Sequence, residues 1–162
     1  MRNIARTKQL IKAMRTLSTQ QIMLHQAVAD RLNLNITDYK CMDFIVRFGP
    51  MTPGKLAELS GLTTGAITGA IDRLERAGYA RRADNPRDRR SVIVELTWDE
   101  TKRKQYEETF LPLEREMKKM TASYTNKELA LFTELICKEA KLLREETVRL
   151  SKMLMNFTVT VQ

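Results

Sequence analysis

The chain has 162 residues, with 28 Lys/Arg against 20 Asp/Glu and a formal net charge of +8: enough for one domain with a sizeable core, and basic enough to favour polyanionic partners. A single histidine and two distant cysteines, Cys41 and Cys137, leave no His-rich metal cluster, no disulfide framework and little acid–base machinery for an enzyme. No apolar run approaches the roughly 20 residues of a bilayer span, and the charged start MRNIARTKQLIKAMRTL lacks a signal-peptide core, so a soluble cytoplasmic protein without cofactor is expected.

In chain order, Ile4 to Leu32 reads as a long helix, with Leu10, Met14, Leu17, Leu24 and Val28 at 3–4 spacing and Gln21 interrupting the stripe. Asn33 to Ile36 breaks it. Thr37-Asp38 then offers a cap for a second helix through Phe48, which Gly49-Pro50 stops; Tyr39, Met42, Ile45 and Val46 make its inner face. Thr52-Pro53 starts a third, short helix, a capping hydroxyl followed by proline where the missing N–H costs nothing. Ser60-Gly61 turns the chain, Thr63 or Thr64 caps the next helix, and Ile67, Ala70, Ile71 and Leu74 form its inward stripe to about Ala77, with Gly78 as terminator.

From Tyr79 the period changes. Tyr79 to Ala83 is a strand, Asp84 to Asp88 a turn-rich tip, and Val92, Val94 and Leu96 alternate along a returning strand. Helix resumes near Asp99, passes Pro112 with an expected bend, and ends about Met120. Thr125 to Glu128 is a capping box for a last helix carrying Leu129, Phe132, Ile136, Ala140, Leu143, Leu150 and Leu154, with Thr147 its weak member; Asn156 to Gln162 reads as a frayed tail.

The fold expected is mainly α with a small β-hairpin: a winged helix-turn-helix region over 37–97 (helix-turn-helix 52–77, wing 79–97), flanked by an N-terminal helix over 1–32, C-terminal helices over 98–155 and a tail over 156–162. A helix pair followed by a basic hairpin can lay one helix in a major groove while the hairpin reaches the backbone or minor groove. Five of the ten residues from Arg81 to Arg90 are arginine and two are aspartate. A basic hairpin alone could be a solvated surface; beside a helix-turn-helix it points to double-stranded DNA.

The recognition helix is expected to expose Thr63, Thr64, Gly65, Thr68, Gly69, Asp72, Arg73 and Arg76. Hydroxyls at helix N-termini, Thr52 included, suit phosphates, and Thr68 suits a base edge or a thymine methyl. Gly65 and Gly69 each cost roughly 1 kcal/mol in a helix; two readings stand, close backbone approach to the groove or a neutral habit of the lineage. Arg82 and Arg73 have an alternative use, bracing the hairpin through Asp84, Glu75 or Asp88. The two long terminal helices exceed the needs of a winged helix, so Leu10, Met14, Leu17, Leu129, Phe132, Ile136, Leu143 and Leu150 are expected to line a two-fold homodimer interface rather than pack on their own domain. Cys41 and Cys137 read as buried structural thiols; His25 lines the dimer interface or an effector cavity. Methionines such as Met14, Met23 and Met42 read as core filler, or as an adaptable ligand pocket.

LNITDYKCMDFI, LTTGAITGAIDRLERAGYARR and NPRDRRSVIVELT resemble the MarR-type winged-helix transcription regulators. The resemblance covers about 4–150 and is sharpest at Asp88-Arg89-Arg90, with Thr97 seven residues on. It implies a dimer on a pseudo-palindromic operator, usually repressing nearby genes. Many such proteins release DNA when a small aromatic or otherwise toxic compound binds between the dimer and DNA-binding regions, and one candidate pocket in this chain lies where the first, second and fifth helices meet the DNA-binding lobe. By the same resemblance, Arg90 enters the minor groove with Asp88 holding its guanidinium, and Arg87 and Arg89 then serve phosphates. Trp98-Asp99-Glu100 stands where such proteins often carry a glycine. The alternatives are an interaction module or antagonist that dimerises without reading DNA, and an activator or architectural DNA binder.

Overall fold

Four residues at 3–4 spacing, Ile67, Ala70, Ile71 and Leu74, have no solvent-exposed surface at all, and the rest of the core is arranged around them. They belong to a helix, Thr64–Arg76, that is polar on its other side. Tyr39, Cys41, Met42 and Ile45 meet them from the second helix, Leu56 from the third, and Val28, Ala29 and Leu32 from the end of the first. Tyr79, Ala80 and Val94 of the hairpin close the cluster. Burial of each large aliphatic side chain contributes about 1.5–3 kcal/mol.

The computed structural model describes residues 2–160, and side-chain surroundings for residues 3–150. The elements are α1 (Arg2–Arg31), α2 (Ile36–Phe48), α3 (Pro53–Ser60), α4 (Thr64–Arg76), β1 (Ala80–Asp84), β2 (Val92–Leu96), α5 (Glu100–Thr121) and α6 (Asn126–Thr160). Thr52 caps α3, with Pro53 in its first turn, and Thr63 caps α4. The Thr125–Glu128 box closes reciprocally, Glu128 N–H donating to Thr125 Oγ1 at 3.3 Å and Thr125 N–H to Glu128 Oε2 at 2.8 Å. Gly61 ends α3 at φ 71°, a left-handed conformation that favours glycine.

The cap of α2 and the make-up of the sheet differ from the sequence expectation. The cap of α2 is Asn35, whose side chain accepts from Asp38 N–H at 2.9 Å, and not Thr37-Asp38; the Asp38 carboxylate has other partners. The sheet also has a third contributor. Besides the β1–β2 pairing, with Arg82 opposite Val94, Met51 exchanges two backbone hydrogen bonds with Val94, at 3.2 and 2.8 Å. A one-residue bridge between Pro50 and Thr52 has no periodicity to read. Of the alternating trio on β2 only Val94 is fully buried; Val92 is exposed.

α1, α5 and α6 extend beyond this lobe. Leu10, Leu17, Phe132, Ile136, Leu143 and Leu150 are 42–58% exposed, while Met14 and Leu129 are half-buried. α5 runs through Pro112 without interruption. α6 stays helical to Thr160, past the tail expected from Asn156; Met1, Val161, Gln162 and the side chain of Leu154 lie outside the described residues. At 1.5 Å per residue, α5 climbs about 33 Å and α6 returns about 32 Å by Thr147. There Arg144 pairs with Glu58 of α3 at 3.1 Å.

Leu74→Ala should destabilise the fold by about 2–5 kcal/mol, as lost transfer energy plus an unfilled cavity. Urea unfolding followed by circular dichroism reads this directly, and a loss under 1 kcal/mol would contradict the packing described.

Candidate nucleic-acid interface

The N-terminal end of α4 gathers hydroxyls. Thr63 Oγ1 accepts from Ala66 N–H at 3.3 Å, and at the head of α3 Thr52 Oγ1 accepts from Lys55 N–H at 3.2 Å. Each cap engages one oxygen lone pair in its helix and keeps its hydroxyl proton for an outside acceptor such as phosphate. Thr63, Thr64, Gly65 and Thr68 are all exposed. Thr68 Oγ1 donates to Thr64 O at 3.0 Å, so towards a ligand it presents a methyl group and acceptor lone pairs. That narrows the sequence reading: Thr68 is suited to a thymine methyl or to an amino group of adenine or cytosine, and not to donating. Nothing lies within 4 Å of the position a Cβ would take on Gly65, so its backbone is bare.

Gly69 has a different surrounding. A Cβ there would sit 3.2 Å from a guanidinium nitrogen of Arg73. Arg73 points back into the protein, donating from Nε and Nη2 to the two oxygens of Asp38 at 2.8 and 2.7 Å. The Asp38 side chain is 3% exposed and that of Arg73 is 42% exposed, and Asn35 Nδ2 donates to the same carboxylate at 2.7 Å. Arg73 was expected to face DNA; its fork instead ties the recognition helix to α2, and Gly69 leaves room for it. The alternative in which Arg73 braces the hairpin through Asp84, Glu75 or Asp88 does not hold either, since its partner Asp38 lies in α2. The two residues are 35 positions apart, and no spacing rule joins them. Arg82 does brace the hairpin as one reading held, pairing with Glu75 and, at 2.7 Å, with Asp72. Arg81 pairs across the sheet with Glu95 at 2.6 Å. Arg76, exposed, donates from Nε to Asp72 O at 3.3 Å and keeps the rest of its guanidinium clear.

At the wing tip Asn85 and Ser91 close the loop, Asn85 Nδ2 donating to Ser91 Oγ at 2.8 Å and Asn85 N–H to Ser91 O at 3.3 Å. The expectation that Asp88 holds the Arg90 guanidinium is corrected. Asp88 Oδ1 accepts from the Arg90 backbone N–H at 3.0 Å, and its carbonyl accepts from Ser91 N–H, also at 3.0 Å. The carboxylate shapes the turn, because a backbone donor two residues on is the nearest group it can reach. Arg87, Arg89 and Arg90 are exposed and form no ion pair among the described residues.

A second cluster lies where α1, α2 and α5 meet. Lys40 Nζ stands 3.3 Å from His25 Nε2, and Asp43 lies 3.8 Å from both Lys40 and Arg47. Trp98, Tyr106 and Phe110 form an aromatic ladder with centroid spacings of 5.0 and 4.9 Å. The tryptophan that departs from the family pattern thus joins the wing to α5. Burial pushes the Tyr106 hydroxyl up to about 12 and the Cys41 thiol up to about 11, so Cys41 is an inert core thiol. Cys137 is exposed, against the expectation of burial, because helical phase on one strand of α6 does not reveal what covers it.

Comparison with known proteins follows the same outline. The family model described as MarR matches residues 34–92. The uncharacterized HTH-type transcriptional regulator YcgE of Bacillus subtilis is 39% identical over 146 residues, covering 90% of this chain and 93% of its own. A MarR family protein from Bacillus stearothermophilus superposes with a TM-score of 0.62 at 18% identity, over 85% of this chain and 94% of that one. A mutant MarR from E. coli complexed with operator DNA gives 0.54 at 23% identity, over 80% and 91%. At such identities the structural likeness is one of fold.

Arg73→Ala should cost about 3–5 kcal/mol, because it strands the buried Asp38 carboxylate; Asp38→Asn should cost less, since Arg73 is exposed enough to be solvated. Chemical denaturation of both variants checks the order, and equal losses would show that the charge of Asp38 is not what matters. Burial, then Lys40, lowers the His25 pKa below its usual 6.5. The unfolded chain therefore takes up that proton first, so stability is fully present above about 6.5 and falls on acidification through the lowered value. His25→Gln should flatten that part of a stability–pH curve.

Proposed function

This chain belongs to the MarR family, and from that premise we propose a homodimeric transcription regulator that grips a pseudo-palindromic operator and represses the genes beside it. The observation that carries the DNA-reading face is a division among arginines. Arg73, Arg81 and Arg82 are engaged by carboxylates, while Arg87, Arg89 and Arg90 project from the tip with no ion pair among the described residues. Cations left clear at one end of a braced hairpin, on a lobe that also carries an exposed helix N-terminus rich in hydroxyls, suit a polyanion with a groove.

In this reading α4 enters the major groove. Thr63 and Thr64, with Thr52 from α3, hold phosphates; Gly65 lets the backbone come close; Thr68 reads a base edge; Arg76 reaches the backbone further along. Arg90 enters the adjacent minor groove, where a narrow A·T-rich stretch concentrates negative potential, and Arg87 and Arg89 flank it on phosphates. Asp88 contributes by fixing the turn from which Arg90 departs. Gly69 and Arg73 contribute by fixing the helix.

The two-fold partner covers the stripes of α1 and α6, from Leu10, Met14 and Leu17 to Leu129, Phe132, Ile136, Leu143 and Leu150. Exposed aliphatic and aromatic side chains at that density are costly in water, and pairing presents two recognition helices to two half-sites. An effector, if aromatic and anionic, suits the junction of Tyr39, Trp98, Tyr106 and Phe110 with Lys40 and Arg47; occupancy there acts on the joint between the arms and the DNA-binding lobe. The protein acts in the cytoplasm, where its operator is.

Binding to duplexes selected from a random library tests the whole reading, and log affinity should fall steeply and linearly with log salt. Arg90→Ala should weaken the selected operator by about 5- to 150-fold, or 1–3 kcal/mol, with sedimentation still reporting a dimer. Unchanged affinity would remove Arg90 from the minor groove. Thr68→Ala, which removes both the methyl and the hydroxyl, should alter sequence preference more than non-specific affinity; equal losses on every sequence would reassign it to the backbone. A dimer indifferent to all duplexes would instead favour an interaction module.

A further inference from the structure

The recognition helix ends at a peptide that is gripped from three sides. Gly78 stands just beyond α4 at φ 69°. Lys102, in the first turn of α5, donates from Nζ to Gly78 O at 3.2 Å, and the same ammonium lies over the Tyr79 ring, 5.2 Å from its centroid. Glycine suits the left-handed φ there, and a Cβ built on it would fall 2.6 Å from that nitrogen, so any other residue would also push the lysine tip aside. Tyr79 is held in turn: its hydroxyl donates to Leu32 O at 3.0 Å, a buried bond to the end of α1, and its carbonyl accepts from Thr97 N–H at 3.1 Å. The turn of α5 that carries Lys102 is itself ordered by Asp99, whose Oδ1 accepts the Lys102 N–H at 2.8 Å.

We propose that Lys102 is a positioning residue for DNA reading, a latch between the C-terminal end of α4 and the root of α5 that sets the angle of the recognition helix to the dimer arms. This rests on the reading of the chain as a paired DNA-binding protein. Three features favour a latch over a solvated lysine. A cation at a helix C-terminus is favoured by the carbonyls left unpaired there. The aromatic face adds a second attraction from another direction. The position opposite is a glycine that leaves space for the ammonium. The angle has leverage: over the roughly 33 Å of α5, a tilt of about 6° moves the far end by about 3.4 Å, one base-pair step. Release of the latch therefore blurs the distance between the two recognition helices without touching any group that meets DNA.

Lys102→Met keeps the stem and removes the charge. On the selected operator it should lose at least tenfold in affinity. Its discrimination against operators with one base pair inserted or deleted at the centre should shrink several-fold, while affinity for unrelated duplex stays nearly constant. Lys102→Arg, which can still donate to Gly78 O and stack on Tyr79, should restore both. Gly78→Ala crowds the ammonium with Lys102 intact but also strains the left-handed φ, so it is made in both backgrounds. It should reduce discrimination in the Lys102 chain and add little to the loss in Lys102→Met. An equal further loss in both would assign its effect to backbone strain and count against the latch. Spin labels on Cys introduced at Ala66 and Glu108 in a Cys137→Ser background, with labelled chains diluted into unlabelled ones, read the α4–α5 distance in the free protein. That distribution should be narrow for the wild type and Lys102→Arg, and broad for Lys102→Met and Gly78→Ala. An unchanged distribution and unchanged spacing preference in Lys102→Met would overturn the latch. Failure of the wild type to select any duplex would overturn the DNA reading instead, and the spin-label comparison would still decide the latch.

Discussion

A helix with one side in solvent has to be held entirely by the other, and α4 is held by side chains that exclude all water. Ile67, Ala70, Ile71 and Leu74 provide the attraction, but a purely apolar stripe lets a helix slide or roll at small cost. Directional contacts remove that freedom. Arg73 forks onto Asp38, Arg82 crosses from β1 to Glu75 and Asp72, and the peptide after the helix is tied to α1 through Tyr79. Each is a charge-assisted or buried hydrogen bond with a defined geometry, the kind that fixes orientation more than it adds stability.

Those contacts also explain why arginines so close in sequence have such different surroundings. Arg81 and Arg82 lie in the paired part of the hairpin, where Glu95 and the acids of α4 are within reach. Beyond Asn85 the chain leaves the lobe, and the one acid at the tip, Asp88, turns inward to backbone donors. Positive potential therefore gathers at the far end of the wing although the base of the wing is nearly neutralised. A net charge of +8 says nothing about this distribution.

Local features were legible in the sequence and non-local ones were not. The Thr52-Pro53 start, a threonine cap for α4 at Thr63 or Thr64, the Thr125–Glu128 box and the inward stripe of α4 each follow from residues within one or two helical turns of each other. The change of period at Tyr79 marked the hairpin for the same reason. The bond from Arg73 to Asp38 spans 35 positions, and the bridge from Met51 to Val94 joins one residue to a distant strand; neither leaves a periodic trace. The pairing of Asp88 with the Arg90 guanidinium comes from the family resemblance, whereas in this chain the tight turn brings the Arg90 backbone N–H to the carboxylate. Gly69 looked like a surface feature because the partner that needs its space was unknown.

The Asn85–Ser91 closure seals residues 86–90 into a small loop whose internal bonds do not depend on the helices below. Such a loop can be lengthened, shortened or recoloured in charge while the braced strands beneath it keep their register. Change at the fingertip, in a handful of codons, is therefore under little constraint from the hydrophobic interior.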